Sequence, residues 1–352
     1  PRSTLDRSSS ASDVYKRQAY NSTQIVTHME NKDFNWGVIG TGGIAKAFTA
    51  DIKQLKNHRV SAVLSRSIHT AESFSSYAPS SNSFDSMDEF LKESNVDAVY
   101  VATPNPFHCS QTIDALNAGI PVLCEKPFSM DRKEADLMVK ASERNGVALL
   151  EGMWTRYLPH ISRIRNLISE GTIGDIESVS ACHGQNLRKS TNPRLWTKEL
   201  GGGALLDLGI YVVSFAHMIL GKPKDIVAKS VFTDQGVDAK TSIIFTYDNG
   251  AIATLSCSMY DSQPNRAIIS GSKGYIDIEP TFYAPTSFKV CTNNETVSYP
   301  NDYNGHGLRE QAQELEKCIK NDLTESEKMP HAESVSVMES MDKVRSLVGL
   351  TF

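Results

Sequence analysis

The sequence predicts an α/β protein in two parts: a doubly wound parallel sheet, followed by an α+β domain built on an open, largely antiparallel sheet. From Trp36 to about residue 151, short runs that are apolar along their whole length alternate with segments of helical spacing. That pattern is typical of a parallel sheet covered on both faces. After Met153 the runs alternate between apolar and polar residues, which favours strands with one open face.

Length and composition bound the class of protein. The chain has 352 residues, which is too many for one ordinary core and indicates two domains. Its formal net charge is −5, so it has no basic excess for nucleic acid and no polybasic membrane signal. No apolar run reaches the roughly 18 to 20 residues of a membrane-spanning helix. We therefore expect a cytoplasmic protein that binds neither nucleic acid nor a membrane.

The cysteines favour a reduced chain. None of the six forms a C-x-x-C pair, and none has a histidine at zinc spacing. Reduced thiols in the cytosol fit this usage better than a secreted disulfide scaffold. We therefore predict neither a disulfide framework nor a metal site.

The first residues are unlike the rest of the chain. Residues 1–28 are rich in Ser and Arg and have neither a hydrophobic period nor the apolar core of a signal peptide. We interpret them as a disordered leader left by cloning or sequence assembly, with Met29 as the natural start. The first domain is then expected over residues 35–151 and the second over residues 152–352.

The first domain is predicted to consist of alternating strands and helices. Ser86 and Glu89 have the spacing of a capping box, and Gly119 and Gly146 are plausible helix ends. Strands are predicted at 36–40, 59–67, 83–84, 96–104, 121–127 and 147–153, with helices at 44–55 and 69–77, from Ser86, and before each of the two glycines. Right-handed crossovers make the doubly wound sheet the simplest arrangement.

The second domain is predicted to be mainly strands with a few helices. Asp248-Asn249-Gly250 is a strong hairpin signal between two strands. Helices are predicted at 159–170, 308–321 and 334–348, and strands within 176–184, 225–233, 240–260, 266–280 and 286–293. Antiparallel strands with one helix-covered face give the α+β domain.

A glycine-rich turn follows the first strand and opens the first helix. It has the form G-x-G-x-x-A and consists of Gly40, Thr41, Gly42, Gly43, Ile44 and Ala45. The first Gly permits the tight turn, the second lets the backbone approach a pyrophosphate, and the small Ala allows close helix packing. The anion is then expected at the free N–H groups of the helix. The first domain is therefore predicted to be a Rossmann dinucleotide-binding domain.

The end of the second strand favours NADP over NAD. An NAD enzyme usually has Asp or Glu about 20 residues past the glycines, whereas this strand ends in Ser65-Arg66-Ser67. Arg66 can pair with a 2′-phosphate and stack on the adenine, while the serines donate hydrogen bonds. The alternative is an Arg that is merely solvated in a loop. NADP is the predicted cofactor, with NAD the alternative.

Two further motifs end buried strands and make a family resemblance specific. One is Ala102-Thr103-Pro104-Asn105 with His108, and the other is Cys124-Glu125-Lys126-Pro127. Both fall at carboxyl ends of strands, where open α/β sheets bind ligands. Together with the glycine turn they resemble the glucose–fructose oxidoreductase / inositol dehydrogenase / MocA family, over nearly all of the chain from residue 35. Segments 151–157 and 201–211 resemble its dimeric dihydrodiol dehydrogenase and NADP-dependent D-xylose dehydrogenase branch.

The resemblance implies that Lys126 acts beside the nicotinamide. A Lys in a partly dry cleft next to a cationic ring is expected to have a lowered pKa, so that it can exchange a proton with a substrate hydroxyl. The resemblance also implies that Tyr211 is the proton donor or acceptor, where many other family members carry His. Asp207 lies four residues before Tyr211 on a predicted helix and so shares its face. Asp207 is expected to orient Lys126 or a substrate hydroxyl, or else to be a structural carboxylate.

The remaining site residues follow from the same motifs. Beyond the glycine turn and the second strand, cofactor contacts are expected from Thr103, Pro104, Asn105, His108, Glu125 and Lys126. His108 could equally be a neighbour of the next helix's N-cap. A substrate wall of rings and guanidinium groups is expected from Trp154, Arg156, Tyr157, Arg194 and Trp196. Trp154 and Arg156 are the first candidates, although each of the five could instead be packing or lid.

These residues together predict an NADP(H)-dependent dehydrogenase or reductase acting on a carbohydrate or diol hydroxyl or carbonyl, with no metal. Two alternatives stay open: a non-catalytic dinucleotide sensor with the same fold, and another enzyme of the family such as an inositol dehydrogenase or keto-sugar reductase. The presence of both Lys126 and Tyr211 favours the enzyme. The resemblance also implies a homodimer or tetramer, which would form through the strand-rich segment 225–278 of the second domain.

Overall fold

The structure is a computed structural model that describes residues 33–293 and 295–352. The predicted leader and the predicted start at Met29 lie outside the described residues. The described chain forms one six-stranded sheet and one eight-stranded sheet.

The first sheet is entirely parallel, with the strand order β3-β2-β1-β4-β5-β6. Its strands are β1 (Phe34–Ile39), β2 (His58–Leu64), β3 (Asn82–Phe84), β4 (Ala98–Val101), β5 (Val122–Glu125) and β6 (Leu149–Gly152). The helices between them are α1 (Gly43–Ile52), α2 (Ile68–Ser73), α3 (Met87–Glu93), α4 (His108–Asn117) and α5 (Arg132–Asn145). The order reverses between β1 and β4, which places a ligand crevice at the carboxyl ends of those strands. The predicted doubly wound sheet is confirmed.

Local sequence signals account for most of these boundaries. The three strands β4, β5 and β6 are buried at every residue, as expected for a sheet covered on both faces. Ser86 caps α3 by accepting a hydrogen bond from the Glu89 amide, and α5 ends at Gly146 with a φ of +63°. The helix predicted over 69–77 is shorter than expected: α2 ends at Ser73 and a 3₁₀ turn, Phe74–Ser76, completes it.

The second sheet is mixed, with the order β14-β13-β12-β11-β7-β10-β9-β8. Its strands are β7 (Ile176–Gly184), β8 (Asp225–Phe232), β9 (Asp238–Thr246), β10 (Ile252–Ser258), β11 (Ala267–Gly271), β12 (Gly274–Ile278), β13 (Phe288–Thr292) and β14 (Thr296–Tyr299). Strands β7 and β10 run parallel and every other pair is antiparallel. The predicted hairpin joins β9 to β10, with Thr246 opposite Ile252 and Gly250 at a φ of +88°. The largely antiparallel sheet is confirmed.

A buried helix covers the inner face of the second sheet. This helix, α7 (Ile210–Leu220), follows a π-helical turn, Leu205–Gly209, and packs on β7 and β10. The helical stretch Lys198–Leu220 is long and apolar enough to span a membrane by length and composition alone, but 83% of its most apolar window is buried inside the fold. Burial of that kind is what a core helix shows.

Three more helices complete the fold: α6 (Pro159–Ser169), α8 (Arg309–Lys320) and α9 (His331–Val348). Helix α8 packs on α1 and on strands of the first sheet, while α9 packs on α5, α7 and β8. The buried carboxylate of Asp51 accepts backbone hydrogen bonds from His306, Gly307 and Arg309. The last helices therefore hold the two sheets together, and the domain boundary at residue 151 stays a prediction.

Candidate active site

The glycine turn leaves an open space at the N-terminus of α1. Gly40 has a φ of +105°, and a Cβ there would lie 2.8 Å from the Ala102 carbonyl oxygen. A Cβ on Gly42 or Gly43 would meet no heavy atom within 4 Å, and no side chain caps the helix. Ala45 is fully buried against the sheet. Free N–H groups at a helix N-terminus facing open space fit a phosphate group, so these residues fit the dinucleotide that the sequence predicts.

The residues after β2 lie beside this turn. The Ser65 hydroxyl lies 3.4 Å from the Thr41 hydroxyl and 2.8 Å from that of Thr70. Ser67 caps α2 by accepting a hydrogen bond from the Thr70 amide. Arg66 is exposed, and its guanidinium forms no ion pair within residues 33–293 and 295–352. Arg66 is therefore available to bind a ligand, whereas the Ser67 side chain already caps α2.

The loops after β4 and β5 are tied to one another by His108. Its buried ring lies with Nδ1 2.9 Å from the Pro127 carbonyl oxygen and Nε2 2.9 Å from that of Thr103. Burial lowers the pKa of His108, although both hydrogen bonds act against that shift. The Thr103 hydroxyl donates to Gln111 and the Asn105 amide to the Gly201 carbonyl. These contacts support a role in holding the loops.

Glu125 anchors the backbone just before Lys126. Its carboxylate accepts hydrogen bonds from the Tyr100 hydroxyl and from the Lys126 amide, the latter at 3.2 Å. The Tyr100 ring stacks on Phe48 in the core, so the hydroxyl that bonds to the carboxylate is itself fixed in position. Burial raises the pKa of Glu125, although Tyr100 and Lys126 partly oppose the shift. The next peptide bond, between Lys126 and Pro127, is cis.

Lys126 follows strand β5 of the first sheet, and its side chain extends to the π-helical turn Leu205–Gly209, which packs against the second sheet. Its Nζ donates to the Asp207 carbonyl oxygen at 2.8 Å and to Asp207 Oδ1 at 3.3 Å. The same ammonium lies 4.8 Å from the centre of the Tyr211 ring. Burial lowers the pKa of Lys126, but Tyr211 and the Asp207 carboxylate raise it above its ordinary value. The ion pair with Asp207 therefore favours the charged form of Lys126, and the lowered pKa expected beside a cationic nicotinamide stays a prediction.

Asp207 is shared between two cations. Both terminal nitrogens of Arg194 lie 3.1 Å from Asp207 Oδ1, the oxygen that also faces Lys126. Burial alone would raise the pKa of Asp207, yet the charges of Lys126 and Arg194 lower it to about 2. The carboxylate stands on the π-helical turn Leu205–Gly209, a type of turn frequent at functional sites. Asp207 is thus an ionised group that holds Lys126 in place.

Tyr211 presents its hydroxyl beside this ion pair. The Trp154 indole N–H donates to the Tyr211 oxygen at 2.9 Å, so the phenol keeps its own proton for another acceptor. Burial raises the pKa of Tyr211, while Lys126 and Trp154 lower it in part. The phenol is therefore neutral here and can donate a proton.

The five residues of the expected substrate wall divide into two groups. Trp154 and Arg194 join the cluster through Tyr211 and Asp207. Arg156 does not, because its guanidinium is 1% exposed and contacts Ser214 at 3.0 and 2.7 Å and Glu333 at 2.7 Å. The contacts of the remaining two are equally structural, since the Tyr157 hydroxyl donates to the Glu151 carbonyl and the Trp196 indole to that of Ser190. The buried side chains of Arg156 and Tyr157 therefore support the fold in place of the substrate contacts expected of them, whereas a substrate contact by the partly exposed Trp196 stays a prediction.

Three residues beside Tyr211 escaped the sequence prediction. His183 is the second-last residue of β7, Gln185 is the first residue after that strand, and Tyr283 lies between β12 and β13. The ring of His183 stacks on Tyr283 with centroids 4.0 Å apart and lies 5.2 Å from the ring of Tyr211. His183 could have been identified from the sequence, because it is a polar residue at a buried, inward-facing position near the end of an alternating strand.

Both parts of the chain match described families. Residues 34–153 match the oxidoreductase family with an NAD-binding Rossmann fold. Residues 161–277 match the GFO/IDH/MocA C-terminal domain. The chain is 34% identical over 329 residues to the trans-1,2-dihydrobenzene-1,2-diol dehydrogenase of Danio rerio, covering 90% of this chain and 97% of that protein. The Mus musculus protein of the same name is 35% identical, with the same coverage.

Solved structures share the fold at lower identity. KijD10, a 3-ketoreductase from Actinomadura kijaniata in complex with NADP and TDP-benzene, has a TM-score of 0.80 at 24% identity and covers 90% of this chain and 98% of that chain. The aldose-aldose oxidoreductase from Caulobacter crescentus complexed with glycerol has a TM-score of 0.81 at 21% identity, with the same coverage. Since both families match in order and relatives about a third identical cover 90% of the chain, the protein belongs to the GFO/IDH/MocA family and is an NAD(P)-binding oxidoreductase.

Proposed function

We propose that the protein is an NADP(H)-dependent oxidoreductase that interconverts a hydroxyl and a carbonyl of a carbohydrate or diol, with Lys126 and Tyr211 as its proton-transfer pair. The observation that carries this proposal is the position of the Lys126 ammonium, bonded to Asp207 and 4.8 Å from the ring centre of Tyr211. A cation beside a neutral phenol favours loss of the phenolic proton, because it stabilises the phenolate.

The two residues have different tasks in the reaction. The nicotinamide, when bound, supplies or accepts the hydride at the reacting carbon. In the reduction direction Tyr211 donates its phenolic proton to the substrate oxygen, and in the oxidation direction its phenolate takes the hydroxyl proton. Lys126 stays protonated and stabilises the phenolate or alkoxide. Asp207 is a positioning residue that holds the Lys126 ammonium, and Trp154 keeps the Tyr211 oxygen in place.

The preference for NADP rests on the end of β2. Arg66 is exposed near the glycine turn, and no carboxylate stands in Ser65-Arg66-Ser67 to bind a ribose 2′-hydroxyl. A guanidinium favours a 2′-phosphate through charge-assisted hydrogen bonds. The glycine turn, Ser65 and Arg66 are the residues that would hold the cofactor.

Substrate class and assembly are part of the same proposal. The relatives named dihydrodiol dehydrogenase support a diol, and the partly exposed guanidinium of Arg194 beside Asp207 suits the hydroxyl groups of a carbohydrate equally. The outer face of the second sheet exposes Val227, Ile244 and Ile252 at 62%, 44% and 46% on strands β8, β9 and β10. Apolar side chains grouped on an open sheet face support a homodimer, or a tetramer built from it.

The test is formation of NADPH from NADP⁺ or NAD⁺ with a panel of aldoses, inositols and trans-dihydrodiols. We expect turnover that prefers NADP⁺ and falls about 10²- to 10⁴-fold in Tyr211→Phe and Lys126→Ala. Lys140→Ala, on the exposed side of α5, is the matched control and should keep full activity. NADPH binding, followed by its fluorescence, should survive in Tyr211→Phe.

Three results would change the proposal. Full activity of Tyr211→Phe would mean that Tyr211 takes no part in proton transfer. Tight NADPH binding without turnover of any compound, in either direction, would favour the dinucleotide sensor. Preferred turnover of an inositol or a keto sugar would identify the other family enzyme.

A further inference from the structure

The wall next to Tyr211 contains three polar side chains with no part in proton transfer: His183, Gln185 and Tyr283. The Tyr283 ring lies 4.9 Å from that of Tyr211 and 4.0 Å from that of His183. The Thr155 hydroxyl donates to the Tyr283 carbonyl at 2.7 Å, which fixes the loop that carries the ring. The three residues therefore form a rigid surface against the proton-transfer pair.

Their hydrogen bonds set the direction of the Gln185 amide. The Gln185 Nε2 atom lies 3.1 Å from His183 Nε2 and 3.5 Å from the Tyr283 hydroxyl oxygen. An amide NH₂ only donates, so His183 Nε2 must accept and the imidazole must be neutral. Burial and the charge of Lys126 lower the pKa of His183 to about 3, which agrees with a neutral ring. The amide nitrogen of Gln185 is therefore turned toward His183 and Tyr283, and its carbonyl oxygen is left for another donor.

This wall contains one hydrogen-bond acceptor and one hydrogen-bond donor that the protein itself does not use. The Gln185 Oε1 atom has no hydrogen-bond partner within the described part of the chain. The Tyr283 oxygen accepts from Gln185, so its proton is unused, and burial raises the pKa of this phenol so that the proton stays. Gln185 and Tyr283 are partly exposed, whereas His183 is 1% exposed and lies behind them. An acceptor next to a donor matches an alcohol, which needs both.

We propose that Gln185 and Tyr283 are specificity-determining residues that bind a substrate hydroxyl on a carbon beyond the reacting one, with His183 as the residue that positions Gln185. The inference rests on the proposed function and narrows it. A site with these two groups selects a polyhydroxylated, sugar-like substrate over a ring diol whose remaining surface is apolar, because an apolar surface leaves both groups without a partner.

The experiment compares one aldose, its deoxy analogue and a trans-dihydrodiol on the NADP⁺-loaded protein. The variants are Gln185→Leu, Tyr283→Phe and His183→Phe, which keep bulk and remove polar atoms. Tyr299→Phe is the matched control, since that ring stacks on Phe288 in the second sheet, in a different aromatic pair. KM and kcat are measured separately, and binding is measured by calorimetry without turnover.

We expect the wild type to prefer the aldose, and each of the first two variants to raise the aldose KM about tenfold, the equivalent of one hydrogen bond. The kcat and the KM for the dihydrodiol should change little. His183→Phe should reproduce Gln185→Leu, because it removes only the acceptor that orients the amide. The double variant H183F/Q185L should then be no worse than Gln185→Leu alone.

Other results would overturn the inference. Equal effects on the aldose, its deoxy analogue and the dihydrodiol would make the three residues structural. Turnover of the dihydrodiol alone would reject the sugar-like class while leaving the proposed function intact. If nothing is turned over, the proposed function fails and calorimetry decides: aldose binding weakened in Gln185→Leu supports the inference, and no aldose binding to the wild type overturns it.

Discussion

Glu151 should make the protein less stable as the pH rises through neutrality. The residue lies in β6, is 2% exposed, and has Ser334 of α9 and Arg156 as neighbours. Burial raises the pKa of Glu151 to about 7 from its ordinary 4.5, although Ser334 and Arg156 lower it in part. A carboxyl group whose pKa is raised on folding does not affect stability while it is protonated in both states, and it destabilises the folded state once the unfolded chain has lost its proton.

The size of the effect follows from that shift. Below pH 4.5 the carboxyl group is protonated in both folded and unfolded chains, so it has no cost. As the pH rises from 4.5 to 7, the unfolded chain loses this proton first, and the free energy of unfolding falls. The shift of 7 − 4.5 = 2.5 pKa units corresponds to about 3 kcal/mol at 1.36 kcal/mol per unit, fully expressed above pH 7.

The substitution Glu151→Gln removes this pH dependence with little change of shape. We expect the difference in unfolding free energy between variant and wild type to grow by about 2.5 kcal/mol in favour of the variant from pH 5 to pH 8, since a smaller part of the shift is already expressed at pH 5. The new amide can add an offset, but that offset is the same at every pH. Thermal unfolding over this pH range measures the difference, and Glu143→Gln, exposed on α5, is the control.

A difference between Glu151→Gln and wild type that does not vary with pH would refute this reasoning. It would mean that Glu151 is already ionised in the folded protein at neutral pH, with Arg156 as its counter-charge. If the variant instead became less stable than the wild type as the pH rises, the reasoning would be refuted more strongly, since the carboxylate would then be a net stabilising group.

Three further predictions concern the cofactor site and the assembly. Gly40→Ala should lower the unfolding temperature, because a Cβ at a φ of +105° lies 2.8 Å from a backbone oxygen; Gly42→Ala, whose Cβ enters open space, should leave that temperature unchanged and weaken NADPH binding measured by fluorescence. An unfolding temperature lowered equally in both would contradict this contrast. Arg66→Ala should raise the KM for NADP⁺ about 10- to 100-fold, the equivalent of a charged hydrogen bond, with little change for NAD⁺; equal changes for both cofactors would place Arg66 away from the 2′-phosphate. Ile244→Lys should lower the mass measured by light scattering to that of one chain, and an unchanged mass would move the interface to another face.

The features that the sequence predicted well depend on neighbours in the chain. The turn at Gly40, the cap of α3 by Ser86 and the hairpin at Gly250 each involve residues a few positions apart. Their physical causes, a positive φ or a side chain that meets a nearby amide, are visible in a short window of sequence. The same holds for the strands, because continuous or alternating apolar residues reveal how many faces are covered.

The contents of the candidate site were predicted less evenly. Lys126, Asp207 and Tyr211 were named together, and the structure places them in contact. Arg156 was expected at the substrate and lies instead against Ser214 and Glu333. The sequence around an Arg that follows a strand does not show which buried groups it will contact, because those groups are on other helices.

The sequence by itself determined the fold class and the glycine turn, because local backbone preferences and apolar periodicity depend on neighbouring residues. Only the tertiary structure decided the ionisation of Lys126, the second cation on Asp207, and the meeting of Gln185 with Tyr283, which are 98 positions apart. The physical reason is that charge and hydrogen-bond energies depend on distance and burial, and folding sets both by bringing remote segments together.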